Sequence, residues 1–225
     1  TDGRFEITPY AAGQIVPPLQ VLDAVQQGTV ECGHTASYYY VGKNRAFAFS
    51  CAIPFGLTSR QQSAWEYAGG GMELLRDFYK EYGIIHFPAG NTGTQMGGWF
   101  KKEIRTVADL KGLKMRIPGF GGEVMGRLGL LFHASAATEI YAALERGVID
   151  AAEWVGPYDD EKLGLYKIAK HYYYPAFWEG GTETCVMINA AAWDKLPKVY
   201  QEAAESAAAE AHVKMQAQYD AKNPV

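Results

Sequence analysis

The chain predicts an α/β protein with a mainly parallel sheet, on three observations. Apolar residues at helical spacing alternate with short apolar runs along most of the 225 residues. Glycines stand where those helices would end, at Gly28, Gly83, Gly129 and Gly147. A helical stretch with few breaks, from near Asp194 to about Tyr219, comes last.

Each element has its own signal. Residues 1–7 read as a turn entering a strand. Pro17-Pro18 followed by Leu19, Leu22 and Val25 predicts a proline-started helix stopped by Gly28. Residues 29–34 read as a strand. The segment 45–50 alternates aromatic with small residues and reads as a further strand ending at Pro54. Met72, Leu75, Phe78, Tyr79 and Tyr82 share a helical face closed by Gly83. The buried run 84–87 follows as a strand terminated by Pro88. Beyond it come a helical turn over 107–110, a strand over 114–117 and helices over 123–128 and 139–146. A strand over 148–155 and an aromatic strand leading to Glu179 complete the pattern. The alanine-rich stretch 203–211 is interrupted by Glu205 and Glu210, so it reads as a helix in water. No internal repeat or long disordered linker is present, so two lobes would be joined by crossing strands.

Composition narrows the function. A net charge of -4 argues against a nucleic-acid groove, and no apolar stretch has the length to span a bilayer. Cys32, Cys51 and Cys185 form no CxxC pair and read as small buried apolar side chains, with one bridge left open. The five histidines show no zinc spacing. Tyrosine clusters at 38–40 and 172–174 are candidates for the wall of a polar cleft.

The run from Gly112 to Gly122 sets Arg116 at the end of a strand, before a glycine-rich turn and a new helix. A fixed guanidinium beside a helix N-terminus favours a carboxylate or phosphate. An ordinary salt-bridging arginine is the alternative. Three other segments join it. The loop 87–100 carries four glycines together with Asn91 and Gln95. The segment 148–160 carries Glu153 and Trp154, and 174–181 carries Trp178 and Glu179. A carboxylate ligand held by Arg116 would be repelled by Glu153 and Glu179. A hard cation on those two carboxylates, the Gln95 side-chain oxygen and a backbone carbonyl removes the conflict, and oxygen donors suit sodium or calcium.

On these motifs the chain resembles the extracytoplasmic solute-binding subunits of tripartite ATP-independent periplasmic (TRAP) transporters, in the branch that binds 2-oxo acids such as pyruvate, or lactate, with a metal ion. The resemblance runs over essentially the whole chain. It is carried by residues 33–39, 87–100, 109–116 and 144–157 and by Trp178-Glu179-Gly180-Gly181. It implies a periplasmic-binding-protein-like fold of two α/β lobes with crossing hinge strands and a long C-terminal helical region. The implied division is lobe I over 1–86, lacking the strand and helix that family members carry upstream, lobe II over 87–154, return strands over 155–190 and the helical region over 191–225. Arg116 then takes the place of the carboxylate-clamping arginine. Gln95, Glu153, Trp154 (through its backbone oxygen) and Glu179 take the metal positions. Tyr38, and less directly Asn91, line the substrate together with Gln95 and Trp154. The implied partners are a small organic carboxylate, the TRAP permease subunits and a second copy of the chain exchanging its C-terminal helix, with no nucleic acid; the implied location is the periplasm. Two alternatives remain open. One is a metal-dependent keto-acid enzyme, which would need a general base that none of these segments supplies as His or Lys. The other is the ligand-binding domain of a sensor receptor.

Overall fold

The computed structural model describes residues 1–224 and contains two β-sheets, each covered by helices. In chain order, a single 3-10 turn over Pro18–Gln20 leads into α1 (Val21–Gln26) and β1 (Cys32–Thr35). Helices α2 (Ser59–Ala68) and α3 (Gly71–Lys80) precede β2 (Ile84–Asn91). There follow β3 (Gly98–Phe100), β4 (Lys114–Arg116), α4 (Gly119–Arg127), β5 (Leu131–His133) and α5 (Ala137–Glu145). The chain continues through β6 (Ala151–Ala152), α6 (Pro157–Leu163), β7 (His171–Tyr173) and β8 (Glu183–Asn189), and ends in α7 (Ala190–Trp193) and α8 (Lys198–Lys222).

The first sheet has the order β1-β8-β2 and the second β5-β4-β6-β3-β7. Their connectivity corrects the expectation of a mainly parallel sheet. Strand β4 pairs parallel with β5 and β6, but β3 runs antiparallel to β6 and β7, and β8 runs antiparallel to both β1 and β2. The reason is long-range. The chain crosses between the sheets after Asn91 and returns before Glu183, and β8 inserts between two strands that local βα spacing would have made neighbours.

Each sheet carries its own core. In the first lobe Leu22, Phe47, Tyr79, Ile84 and Met187 pack together; in the second, Phe100, Leu113, Met115, Ile117 and Met125 do so. Fully burying one such side chain is worth about 1.5–3 kcal/mol. The glycine stops work as the sequence suggests: Gly83 at φ +65 follows α3 and Gly147 at φ +73 follows α5.

Several local expectations give way to tertiary context. Residues 45–50 form a 3-10 helix, because the Asn44 side chain accepts from Ala46 N at 3.0 Å and starts a helical turn. Residues 1–7 form no strand, and the expected strand at 29–34 forms only from Cys32. Strand β2 runs on through Pro88, which its place at the edge of the sheet permits, since a proline there leaves no ladder donor unmet. Its register shifts between Pro88 and Gly90. The expected strand over 148–155 shrinks to Ala151–Ala152, flanked by hydrogen bonds from Asp150 N to Lys114 O and Glu153 N to Arg116 O. Residues 174–181 form a hydrogen-bonded crossing segment and not a strand. Cys32, Cys51 and Cys185 are all free thiols, the last two buried.

Candidate functional site

Strand β4 ends at Arg116, which is 1% exposed, and the chain after β6 brings Glu153, at 0%, to face it. Nη1 of Arg116 donates to Glu153 Oε2 at 2.9 Å and to the Glu153 carbonyl at 2.8 Å. Nε donates to the Ser135 carbonyl at 3.2 Å, and Nη2 to the Tyr39 hydroxyl at 3.3 Å. These four bonds leave one of the five guanidinium N–H groups free for a ligand. The guanidinium also lies over the Trp154 ring, 4.9 Å from its centroid. Arg116 is therefore paired directly with Glu153, which the sequence had set across a ligand from it. Burial works against its charge, but Tyr39 and Glu153 hold the proton on.

Gln95 and Glu179 come from the two crossing segments. Gln95 N donates to the Glu179 carbonyl at 3.1 Å, Ala176 N to the Gln95 carbonyl at 3.0 Å, and Thr92 N to the Thr182 carbonyl at 2.9 Å. The crossings thus form one hydrogen-bonded unit between the lobes, and the site lies on it.

Three buried side chains there share one pattern. Glu153 gives Oε2 to Arg116, Glu179 accepts from Thr182 Oγ1 through Oε2 at 2.6 Å, and Gln95 donates from Nε2 to Thr92 Oγ1 at 3.0 Å. In each, the remaining polar atom, Oε1, is buried and has no hydrogen-bond partner. A buried oxygen without a donor is costly, and carboxylate and amide oxygens are the donor type a hard cation takes. Burial and the charge of Glu179 push the Glu153 carboxyl well up, against the pull of Arg116. Burial pushes Glu179 up to about 7, against the Thr182 hydroxyl and Arg116. A cation would reverse both shifts. Among the described residues no group of three His, Cys, Asp or Glu side chains is placed to hold a metal.

Tyr38 is buried at 5% with its ring against Gly119, the first residue of α4. Asn91 is used otherwise: Oδ1 accepts from Gly93 N at 2.9 Å and Nδ2 donates to the Gly181 carbonyl at 3.4 Å. It braces the crossings, and its amide is not among the open groups. Sequence reasoning did not single out Tyr39, Thr92, Ser135 or Thr182. The legible signal for the two threonines was a hydroxyl three residues from Gln95 and from Glu179 in glycine-rich turns. The Ser135 contact runs through the backbone and leaves no trace in the sequence.

Comparison with known proteins gives the family and the fold. The chain matches bacterial extracellular solute-binding protein family 7 (DctP) over residues 1–224, and it belongs to that family. It is 62% identical to a monocarboxylate 2-oxoacid-binding periplasmic protein of Nostoc over 99% of its own length and 61% of the relative's. A TRAP transporter solute-binding protein from Bordetella bronchiseptica, described with copurified calcium and picolinate, superposes with a TM-score of 0.98 at 51% identity, covering 99% of this chain and 66% of that one. A TRAP periplasmic solute-binding protein from Pseudoalteromonas atlantica, described with sodium and pyruvate, gives 0.89 at 49% identity, covering 92% of this chain and 62% of that one. The chain therefore spans about three fifths of the length of this curated relative from Nostoc. These likenesses bear out the two-lobed α/β fold that the motifs implied.

Proposed function

We propose that this chain captures a small monocarboxylate, a 2-oxo acid such as pyruvate, or lactate, together with a sodium or calcium ion, and delivers it to a TRAP membrane permease from the periplasm. One observation carries the reading: the buried Oε1 atoms of Gln95, Glu153 and Glu179 all lack a partner at the site where Arg116 keeps one N–H uncommitted. The ligands described for two solved relatives, a carboxylate with calcium or with sodium, support it.

In this reading Gln95, Glu153, Glu179 and the Trp154 carbonyl hold the cation. When bound, the cation supplies positive charge that neutralises the two carboxylates and accepts the ligand's oxygens. Arg116 and Tyr38 bind the organic part from the other side. The ligand then completes an alternation of charge that the protein alone leaves unbalanced, and closure of the lobes keeps water out. The family is one of solute-binding proteins, which favours capture over the keto-acid enzyme. The dimer described for the Bordetella bronchiseptica relative supports a pairing of chains, for which we retain the C-terminal helix as the contact. No helix of the described residues is long and apolar enough to cross a membrane.

Calorimetry with pyruvate is the test, run in calcium, in sodium and in EDTA-treated sodium-free buffer. Binding is expected with a cation at about micromolar Kd, near -8 kcal/mol, and strongly weakened without one. Equal affinity in all three buffers would refute the cation's part.

A further inference from the structure

Away from the ligand cluster, and apart from the contacts of α8 with α6, an exposed ion pair joins the two lobes. Arg45 opens the 3-10 helix Arg45–Ser50, which is anchored in the first lobe by Phe47 against Tyr79. Glu123 lies on α4, whose Met125 belongs to the core of the second lobe. Arg45 Nη1 donates to Glu123 Oε1 at 3.1 Å and Nη2 to Oε2 at 2.9 Å, a two-bond fork between residues 78 positions apart. The same guanidinium lies 4.4 Å from the centroid of the Phe120 ring, on the first turn of α4. Gly119, one residue earlier, carries the Tyr38 ring of the other lobe. The clasp thus sits on the helix that begins just after Arg116. The remaining ion pairs among the described residues, such as Arg116–Glu153, Lys43–Asp23 and Arg76–Glu205, do not join the two sheets' lobes.

We infer that Arg45 and Glu123 are a closure latch, positioning residues that set how long the lobes stay shut without touching the ligand. The inference rests on the reading of the cleft as a ligand site. Its strength suits a reversible device. The side chains are 68% and 34% exposed, so the pair is weaker than a buried one and is screened by salt. The fork and the aromatic face raise it above an ordinary surface pair. When the lobes part, Arg45 loses Glu123 and presents a bare positive charge at the cleft mouth, where it draws an anion in.

The experiment uses the full-length protein with pyruvate and calcium, following tryptophan fluorescence by stopped flow. Glu123→Gln is expected to raise koff about two- to fivefold with kon nearly unchanged. Arg45→Met should also raise koff and in addition lower kon. In about 1 M potassium chloride the wild type should release as fast as Glu123→Gln. The exchanged pair, Arg45→Glu with Glu123→Arg, should recover most of the slow release. A parallel arm needs no ligand: solution X-ray scattering at low salt should show a larger radius of gyration for Glu123→Gln than for wild type. Release rates and scattering profiles identical to wild type in both single variants would overturn the latch. Failure of the wild type to bind pyruvate with either cation would instead overturn the ligand reading, and the scattering arm would then decide the latch alone.

Discussion

At the scale of single residues, the site rests on Arg116 doing three things at once. It neutralises Glu153, ties Tyr39 and the Ser135 carbonyl, and keeps one N–H for a ligand. A lysine is a point charge and cannot reach all of these partners. Arg116→Lys is therefore expected to weaken pyruvate binding at least about tenfold, and wild-type affinity by calorimetry would refute the assignment. Arg116→Ala should also destabilise the fold by about 1–3 kcal/mol, because it leaves the buried Glu153 carboxyl and carbonyl oxygens without their donor. Urea denaturation measures that loss. The hydroxyl of Thr182 acts one step further out by holding Glu179 Oε2. Thr182→Val should weaken calcium binding about 10- to 100-fold while Thr182→Ser retains it, which a calcium titration in the presence of pyruvate would show.

At the scale of elements, the close approach of β3 to β6 controls where Glu153 sits. Gly98 adopts φ +107, and a Cβ there would lie 2.6 Å from the Ala152 carbonyl oxygen and 2.9 Å from the Glu153 Cα. Gly98→Ala is expected to cost about 1–3 kcal/mol in stability. It should also weaken ligand binding, because the strand pair can relieve the clash only by displacing the residue after β6. Denaturation and calorimetry on one variant test both effects. An unchanged Kd beside a lowered stability would separate the packing of β3 from the site.

At the scale of the molecule, stability should respond to pH through a second pair of buried acids. Glu66 on α2 and Glu183 at the start of β8 are both buried. Burial raises both carboxyls, and Glu183 is raised further by the charge of Glu66. Gln62 donates to Glu66 Oε1 at 2.8 Å, and Tyr67, Cys185 and Cys51 feel the charge of one or both. His212 meets the Tyr67 ring edge-on, and Glu205 adds its charge there. Groups that hold their protons more tightly when folded stabilise the chain below the ordinary carboxylate range, and that contribution is lost as pH rises through the folded values. Glu66→Gln should therefore raise stability near neutral pH by about 1–3 kcal/mol and flatten its fall between about pH 5 and pH 8. Thermal melts across that range check it. A steeper fall in the variant would contradict the mutual raising of the two acids.

The sequence by itself determined the alternation of helices and strands, the glycine stops and the family. Charge and donor type also brought Arg116, Gln95, Glu153 and Glu179 forward as one chemical set, and the family resemblance added Trp154 to it. Only the tertiary structure decided strand direction, since β8 reaches its place from about a hundred residues beyond β2 and its pairing depends on which edges are free. It likewise turned 45–50 into a helix through Asn44 and Phe47, gave Asn91 to the backbone of Gly93 and Gly181, and set Arg116 directly on Glu153. Those outcomes rest on which groups become buried together, and burial makes every polar atom find a partner or remain open for one.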